Sequence, residues 1–330
     1  MSDAAMQIEE FSRLAQAIEG EVGRVIVGQK EVVRSAIICV LAGRHVLLEG
    51  VPGLGKTQLI RTLADVLDLE FSRIQFTPDL MPSDIVGTDI LEDTEDGRRA
   101  FRFQQGPIFA NLVLADEINR ATPKTQSALL EGMQEKTVTV SGRIYKLDPP
   151  FFVMATQNPL EMEGTYPLPE AQLDRFMFKV NVNFPGVDDL VTIIERTTGV
   201  DVPQAQKVVD GKQIIRMGRL ALDAPIASHV NRYVAQLIVA THPEDPNAPE
   251  IVRNYVRYGA SPRGAQALII GGKVHALLEG RYNVSFEDIN AVAASSLRHR
   301  LLLNFEGMAE GISTDEIIAE LLREVKKAVV

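Results

Sequence analysis

The sequence predicts an α/β fold in which a five-stranded parallel sheet is followed by an all-helical region. Strand-length apolar runs alternate with helical patterns up to about residue 184, and helical patterns follow almost exclusively after Pro185-Gly186. The segment Gly50 to Thr57 also matches G-x-x-x-x-G-K-[ST] between a predicted strand and a predicted helix. Since 330 residues are many for one core, we predict two domains, residues 1–184 and 185–330.

Five apolar runs are the predicted strands of the sheet. Each has the length of a buried strand, and the helical patterns between them favour parallel pairing. The runs are His45 to Glu49, Phe71 to Gln75, Leu112 to Asp116, Phe151 to Thr156 and Phe178 to Asn183.

Two insertions in the first domain have the pattern of β-hairpins. Residues 84–109 hold the strand patterns Gly87 to Leu91 and Arg99 to Gln104 around the charged tip Glu92 to Gly97. Residues 137–147 hold a second pair of strand patterns. These are Thr137 to Val140 and Ile144 to Leu147, joined by Ser141-Gly142-Arg143.

The second domain is predicted to consist of helices. Ser285 and Ser313 precede two of the helical patterns and are predicted N-caps. The patterns are Asp188 to Thr198, Gln213 to Leu222, Ala227 to His242, Pro262 to Leu278, Phe286 to Leu303 and Thr314 to Val325.

The composition indicates a globular cytoplasmic protein. The stretch Met1 to Glu21 is acidic and amphipathic, unlike a secretory leader, and no apolar run approaches the roughly 20 residues that span a bilayer. Cys39 is the single cysteine and lies in an apolar run, which favours a buried structural thiol. The five histidines show no zinc-site spacing. A net charge of -10 disfavours non-specific binding to nucleic acid.

The glycine-rich segment predicts a phosphate-binding loop. Its glycines allow backbone N–H groups to point at phosphate oxygens, and the following helix adds the positive end of its dipole. Lys56 is expected to reach the β- and γ-phosphates, and the Thr57 hydroxyl to bind Mg²⁺. The alternative is a chance glycine-rich turn. The predicted nucleotide-binding residues of this segment are Val51, Pro52, Gly53, Leu54, Gly55, Lys56, Thr57 and Gln58.

A second chemical motif is the pair of acids that ends the strand Leu112 to Asp116. The carboxyl edge of a parallel sheet is where α/β folds bind ligands, so Asp116 is expected to orient Mg²⁺ through its water shell. Glu117 can then polarise an attacking water as general base. Two acids in a solvated loop are the alternative.

With these motifs in place, the chain resembles an AAA+ ATPase, and more closely the MoxR family in the helix-2-insert group. That resemblance implies a three-layer P-loop core, an α-helical lid, ATP and Mg²⁺. It depends on the order and spacing of five blocks. They are Gly50 to Thr57, Ala115 to Ala121, Gln126 to Glu135, Ala155 to Pro159 and Leu168 to Phe176.

Further site residues follow from the resemblance. Asn158 matches sensor 1, near the attacking water, although an Asn-Pro turn is the alternative. Arg175 matches the arginine finger, which in the family reaches the ATP of the neighbouring subunit. Arg263, in Ser261-Pro262-Arg263-Gly264, matches sensor 2 and is expected to contact the phosphates of its own subunit. Arg120 matches a position near the subunit boundary.

The family's adenine pocket is matched by an upstream segment, which is an apolar stretch with a glycine. Its residues in this chain are Val27, Gly28 and Gln29.

The expected function is that of an ATP-hydrolysing factor that remodels or matures partner protein complexes. The resemblance implies a ring homo-oligomer, a hexamer in the family, and a von Willebrand factor A domain protein as client. Two alternatives share the ATPase core: a nucleic-acid-remodelling motor and a nucleotide-gated scaffold with little turnover. Asp84 to Gly87 fits the D-x-x-G motif of small GTPases, but it does not follow an apolar strand and no guanine-reading N-K-x-D segment occurs. A GTPase is therefore disfavoured.

Overall fold

A computed structural model of the chain describes residues 3–93, 99–159, 164–199 and 203–329. The first part alternates helices and strands. Its elements are α1 (Asp3–Val25), α2 (Lys30–Leu41), β1 (Val46–Glu49), α3 (Lys56–Leu67), β2 (Phe71–Gln75), α4 (Pro82–Val86), β3 (Gly87–Asp93), β4 (Arg99–Gln105), β5 (Leu112–Asp116), α5 (Pro123–Glu135), β6 (Thr137–Val140), β7 (Arg143–Lys146), β8 (Phe152–Gln157), α6 (Glu170–Leu173) and β9 (Phe178–Asn181).

The second part is helical apart from one short strand pair. Its elements are α7 (Val187–Thr197), α8 (Gly211–Asp223), α9 (Ser228–Val239), α10 (Glu250–Tyr255), β10 (Val256–Tyr258), α11 (Pro262–Leu278), α12 (Phe286–Leu297), β11 (Leu302–Leu303), α13 (Phe305–Glu310) and α14 (Thr314–Val329).

The five predicted strands form one sheet in the order β2-β5-β8-β1-β9, and every pair in it is parallel. All of its strands therefore end at one edge, which we call the carboxyl edge, and begin at the opposite amino edge. Gly50, Glu117 and Asn158 directly follow the ends of β1, β5 and β8. His45 and Met177 directly precede β1 and β9 at the amino edge.

Side chains of the sheet alternate between two buried clusters, because successive residues of a strand point to opposite faces. On one face, Val46 and Leu48 of β1 pack with α1, α2, α3 and the helices of the second part. On the other face, Leu47 packs with side chains of α5 and of the hairpin regions. The sheet is thus the middle of three layers, as predicted for the core.

Both predicted hairpins are present, as the antiparallel pairs β3–β4 and β6–β7. They contact each other through Phe103 and Tyr145, whose rings stack with centroids 4.0 Å apart. Phe103 also contacts Phe109 edge to face. Part of the predicted charged tip, residues 94–98, lies outside the described residues.

One helix is shorter than predicted. The pattern Phe286 to Leu303 predicts a single helix, but α12 ends at Leu297 and the chain turns. Arg300 lies in that turn and donates to the backbone oxygens of Phe176 (2.8 Å) and Met177 (3.1 Å) beside β9. The helix prediction is wrong there because these long-range contacts outweigh local helical propensity.

No helix within the described residues is long and apolar enough to cross a membrane. The predicted boundary between residues 184 and 185 stays a prediction.

Candidate functional site

The loop between β1 and α3 has the backbone that a phosphate-binding loop requires. Gly53 (φ 85°) and Gly55 (φ 76°) are left-handed, a conformation in which glycine has no steric penalty. A Cβ added at either glycine would meet nothing within 4 Å, so the outer side of the loop is open. At Gly50 an added Cβ would lie 2.7 Å from the backbone oxygen of Val182, so the absence of a side chain there lets the loop pack against the residue directly after β9.

Lys56 is the first residue of α3 and folds back over the loop, where Nζ donates to the Gly50 oxygen. Burial lowers the pKa of Lys56, opposed by the negative charges of Asp116, Glu117 and Glu49. The ammonium is therefore held close to the acids at the carboxyl edge. Thr57 follows it half-buried and Gln58 is exposed, both on the first turn of α3.

Asp116, the last residue of β5, has both carboxylate oxygens in hydrogen bonds. Oδ1 accepts from the hydroxyl of Thr156 at 2.7 Å. Oδ2 accepts from Arg73 of β2, from Nη2 at 2.6 Å and Nε at 3.1 Å. Thr156 comes from β8, so the two neighbouring strands orient this carboxylate.

Glu117 is turned away from the strand by a left-handed backbone (φ 55°, ψ 50°). Its N–H donates to the Thr156 hydroxyl oxygen at 2.8 Å, so this one hydroxyl bridges both acids. Its Oε2 accepts from Gln75 Nε2 and from Arg120 Nη1, each at 3.0 Å. The carboxylate is thereby fixed at the carboxyl edge. Arg120 contacts Glu117 of its own chain in this arrangement.

Asn158 lies just beyond the end of β8 and is buried, with 6% of its surface exposed. Its strand is tied to the phosphate-binding loop, because Gly50 N donates to Gln157 O at 3.2 Å. The structure thus brings Lys56, Asp116, Glu117 and Asn158 to a common edge.

The segment Val27 to Gln29 is joined to the same loop. Gln29 Nε2 donates to Leu54 O at 2.7 Å. Gln29 Oε1 is buried and has no hydrogen-bond partner among the described residues. A buried acceptor without a donor is costly, so this position suits a ligand that supplies an N–H group.

The site is suited to a nucleotide triphosphate with Mg²⁺. Its loop is open on the phosphate side, Lys56 is the cation next to that loop, and its oxygen donors are Thr57 and Asp116. Mg²⁺ in such sites takes one or two protein oxygens and completes its shell with phosphate and water. Within the described ranges, no group of three or more His, Cys, Asp or Glu side chains could hold a metal ion.

Arg175 and Arg263 lie at the amino edge. Arg263 Nη1 is 3.8 Å from Asp174 Oδ2, and Arg175 Nη1 donates to Leu130 O at 2.7 Å. Both arginines line a cavity of about 170 Å³ beside His45, which directly precedes β1. Three further cations, Arg44, Lys136 and Arg300, line the same cavity.

The structure does not bring Arg263 to the phosphate-binding loop of its own subunit, where the family resemblance places its phosphate contact. His45 and the phosphate-binding loop lie at opposite ends of β1, and Arg263 is on the His45 side. It is held there because the first turn of α11 packs on Asp174, which accepts from the Ser261 hydroxyl at 2.9 Å and from Arg300 Nε at 2.7 Å.

Sequence reasoning missed three residues of the site: Thr156, Arg73 and Gln75. Arg73 and Gln75 alternate along β2, so both reach the neighbouring end of β5. Polar residues at alternate positions of a predicted parallel strand were the available signal, since such strands are usually apolar on both faces. Thr156 lies two residues before Asn158 and had the same signal.

Two family descriptions match the chain. Residues 45–178 match the ATPase family associated with various cellular activities (AAA), and residues 248–321 match the AAA lid domain.

Relatives match over almost the whole length. Chaperone MoxR1 of Mycobacterium tuberculosis is 44% identical over 92% of this chain and 80% of its own. Protein MoxR of Methylorubrum extorquens is 33% identical over 98% of this chain and 96% of its own. A crystal structure from Cytophaga hutchinsonii, provisionally assigned as an ATPase, superposes with a TM-score of 0.90 at 42% identity, covering 97% of this chain and 96% of that one.

Proposed function

The chain belongs to the MoxR-type AAA ATPases, and from this membership we propose that it hydrolyses ATP with Mg²⁺ at the interfaces of a ring-shaped homo-oligomer. Mg²⁺, held by Thr57 and, through its water shell, by Asp116, would neutralise charge on the transferred phosphoryl group. Lys56 binds the phosphates, Glu117 polarises the attacking water, and Asn158 orients it. The proposed turnover remodels or matures partner protein complexes.

The proposal that ATP is hydrolysed at subunit interfaces rests on the separation of Arg175 and Arg263 from their own phosphate-binding loop. They lie at the amino edge of the sheet, and the loop lies at the carboxyl edge. Arginines in phosphoryl-transfer enzymes stabilise the charge of the transition state from close range. The phosphates within their reach are accordingly those of another subunit.

Electrostatics supports the same arrangement. Five cations line one cavity together with the carboxylate of Asp174, and they are Arg44, Lys136, Arg175, Arg263 and Arg300. Arg175 Nε is buried and has no hydrogen-bond partner among the described residues. Cations that outnumber the single carboxylate in the cavity lining favour an anion, and a triphosphate on the next subunit supplies one. Head-to-tail contact of this kind closes into a ring, for which we propose six subunits.

A mixing experiment tests whether the arginines act across the interface. Lys56→Ala removes the phosphate contact and leaves the arginines, whereas Arg175→Ala does the reverse. We expect each variant alone to lose about 10³-fold or more in turnover. A 1:1 mixture should recover roughly a quarter of the wild-type rate, since about one random interface in four pairs an intact loop with an intact arginine. No recovery in rings shown to exchange subunits would contradict the proposal.

A single substitution separates an enzyme from a nucleotide-gated scaffold. Glu117→Gln keeps the shape of the side chain but cannot act as a base. We expect ATP binding to be retained and hydrolysis to be lost. An equally low rate in wild type and variant would favour the scaffold.

The hairpins are the proposed contact with a protein client, for which the family suggests a von Willebrand factor A domain protein. Phe101 and Ile144 are 74% and 71% exposed, an apolar character suited to protein. Arg99 and Arg102 are paired with Asp93 and Glu92 within the first hairpin. That pairing neutralises these two arginines of the first hairpin, which disfavours the remodelling of DNA by this hairpin. Affinity capture with Glu117→Gln and ATP, compared with the same variant carrying Phe101→Ser, tests this contact.

A further inference from the structure

Asp189, in the first turn of α7, packs directly on Gly28 of the segment Val27 to Gln29. Gly28 is left-handed (φ 74°), and a Cβ added there would lie 2.5 Å from Asp189 Oδ2 and 2.7 Å from its Cγ. The space that a side chain would take at residue 28 is thus filled by the carboxylate of residue 189. A glycine is required for this approach as well as for the backbone conformation.

The position of Asp189 is set by a second contact of the same helix. Arg196 Nη1 donates to Arg24 O at 2.7 Å and to Gly23 O at 3.3 Å, at the end of α1. Asp189 and Arg196 are seven residues apart, so they lie on the same face of α7. That face is therefore anchored along the stretch from the end of α1 to Gly28.

Gln29, the next residue, adds a second acceptor beside the carboxylate. Its amide N–H group is used on Leu54 O of the phosphate-binding loop, which leaves Oε1 buried and without a partner among the described side chains. One acceptor, the Asp189 carboxylate, thus lies against Gly28, and the other, Gln29 Oε1, belongs to the next residue along the chain. The group that satisfies both is a nitrogen that carries two hydrogens.

We propose that Asp189 and Gln29 select the nucleotide base by accepting hydrogen bonds from the 6-amino group of adenine. This rests on the proposed binding of ATP and adds Asp189 to the pocket as its specificity-determining residue. Hypoxanthine presents an oxygen at that position, which the two acceptors repel. Unsubstituted purine presents no polar group there and leaves Gln29 Oε1 unpaired.

A helix-stabilising role is the competing explanation for Asp189, since acids in a first turn favour the helix dipole. Asp188 provides the matched control. It is also an acid in the first turn of α7, but its side chain is exposed, whereas the acid that packs on Gly28 is Asp189. A role in helix stability predicts similar effects at both positions, whereas reading of the base predicts an effect at Asp189 alone.

The test compares the binding of ATP with that of purine riboside triphosphate, which lacks only the amino group. Dissociation constants are measured by calorimetry on wild type, Asp189→Ala, Asp189→Asn and Asp188→Asn, with Glu117→Gln in every background to prevent turnover. We expect wild type and Asp188→Asn to prefer ATP by about tenfold or more, the effect of hydrogen bonds to a charged group. Asp189→Ala should reduce the preference to a few-fold while purine riboside triphosphate binds as before, and Asp189→Asn should be intermediate.

Three outcomes would overturn the inference. They are equal binding of the two nucleotides by wild type, an unchanged preference in Asp189→Ala, and a preference for GTP over ATP. The last is a real alternative because a carboxylate can also bind the ring N–H and 2-amino groups of guanine. If Asp189→Ala does not fold, the wild-type ratio and Asp189→Asn decide. Failure to bind any triphosphate would instead overturn the proposed function, so the two failures are distinguishable.

Discussion

Thr156 is the residue on which both acids of the site depend for their orientation. Its side chain is fully buried in β8, donates to Asp116 and accepts from the backbone of Glu117. The second contact supports a left-handed backbone at Glu117, which costs about 1 kcal/mol or more for a residue other than glycine. A hydroxyl two residues before Asn158 therefore connects β8 to both acids at the end of β5.

Replacement of Thr156 by valine and by serine tests this role with nearly constant shape. Thr156→Val removes the hydroxyl, so we expect the turnover number to fall about 10- to 100-fold, with less than a threefold change in ATP affinity. Thr156→Ser keeps the hydroxyl and should retain most of the activity. Steady-state kinetics and ATP binding measure the two effects. Equal losses in both variants would mean that Thr156 contributes only packing.

His45 is a second residue whose state depends on packing, and it predicts a pH dependence of stability. Nδ1 accepts from Val153 N at 3.0 Å and Nε2 contacts Met133 O at 3.1 Å, so the ring is held neutral. Burial lowers the pKa of His45 to about 4 from 6.5.

Between those two pH values the unfolded chain binds more protons at His45, so the free energy of unfolding falls as the pH is lowered below 6.5. From pH 7 to pH 5 this group should remove about 2 kcal/mol. Denaturant unfolding at both pH values measures the loss, and His45→Gln should reduce it. An unchanged loss in His45→Gln would assign the pH dependence to other groups.

At the scale of elements, the ends of helices were harder to predict than their existence. Ser285 caps α12 as predicted, in a capping box with Asp288. The other end of α12 was predicted too late because Arg300 turns back to the carbonyls beside β9. Capping is local in sequence, whereas Arg300 finds its partners more than a hundred residues away, and only the folded chain brings them together.

The cap of α12 carries a stability prediction. Burial of Asp288 raises its pKa, but hydrogen bonds from Arg281, His275 and Ser285 outweigh that effect and hold the pKa well below its usual range. Asp288→Ala leaves these donors without their acceptor, so we expect the free energy of unfolding to fall by about 3 kcal/mol.

Chemical denaturation at pH 7 measures the effect. The Asp288 contribution is present above the unfolded pKa of an aspartate and is lost as the pH falls below it, so the difference between wild type and Asp288→Ala should shrink toward pH 3. Asp315→Ala removes a more exposed carboxylate, which pairs with Arg298, and should cost under about 1 kcal/mol. Equal costs at the two sites would contradict the buried cap.

At the scale of the molecule, the phosphate-binding loop and the cationic cavity lie at opposite edges of the sheet, separated by the length of the strands. This separation makes assembly depend on nucleotide if the cations at the amino edge meet the triphosphate of the next subunit. A head-to-tail interface of this type is completed by its ligand.

The double variant Arg175→Ala with Arg263→Ala should bind ATP with near wild-type affinity as a monomer but fail to form rings with ATP. Sedimentation velocity with Glu117→Gln in the background measures assembly, and calorimetry measures binding. Arg216→Ala with Arg219→Ala is a matched loss of two charges, since both arginines are exposed on α8, and it should assemble normally. A parallel loss of ATP affinity in the double variant would indicate contact within one subunit.

The sequence by itself determined the alternation of strands and helices, the phosphate-binding loop, the acids at the end of β5 and the family resemblance. These features depend on residues adjacent in the chain, on hydrophobic period and on the rule that parallel strands end at one edge. The tertiary structure alone decided that Arg263 lies across the sheet from its own loop, that Thr156 bridges the two acids, and that Asp189 packs on Gly28. Each of these depends on residues far apart in the chain, whose distance in space is set by how whole elements pack.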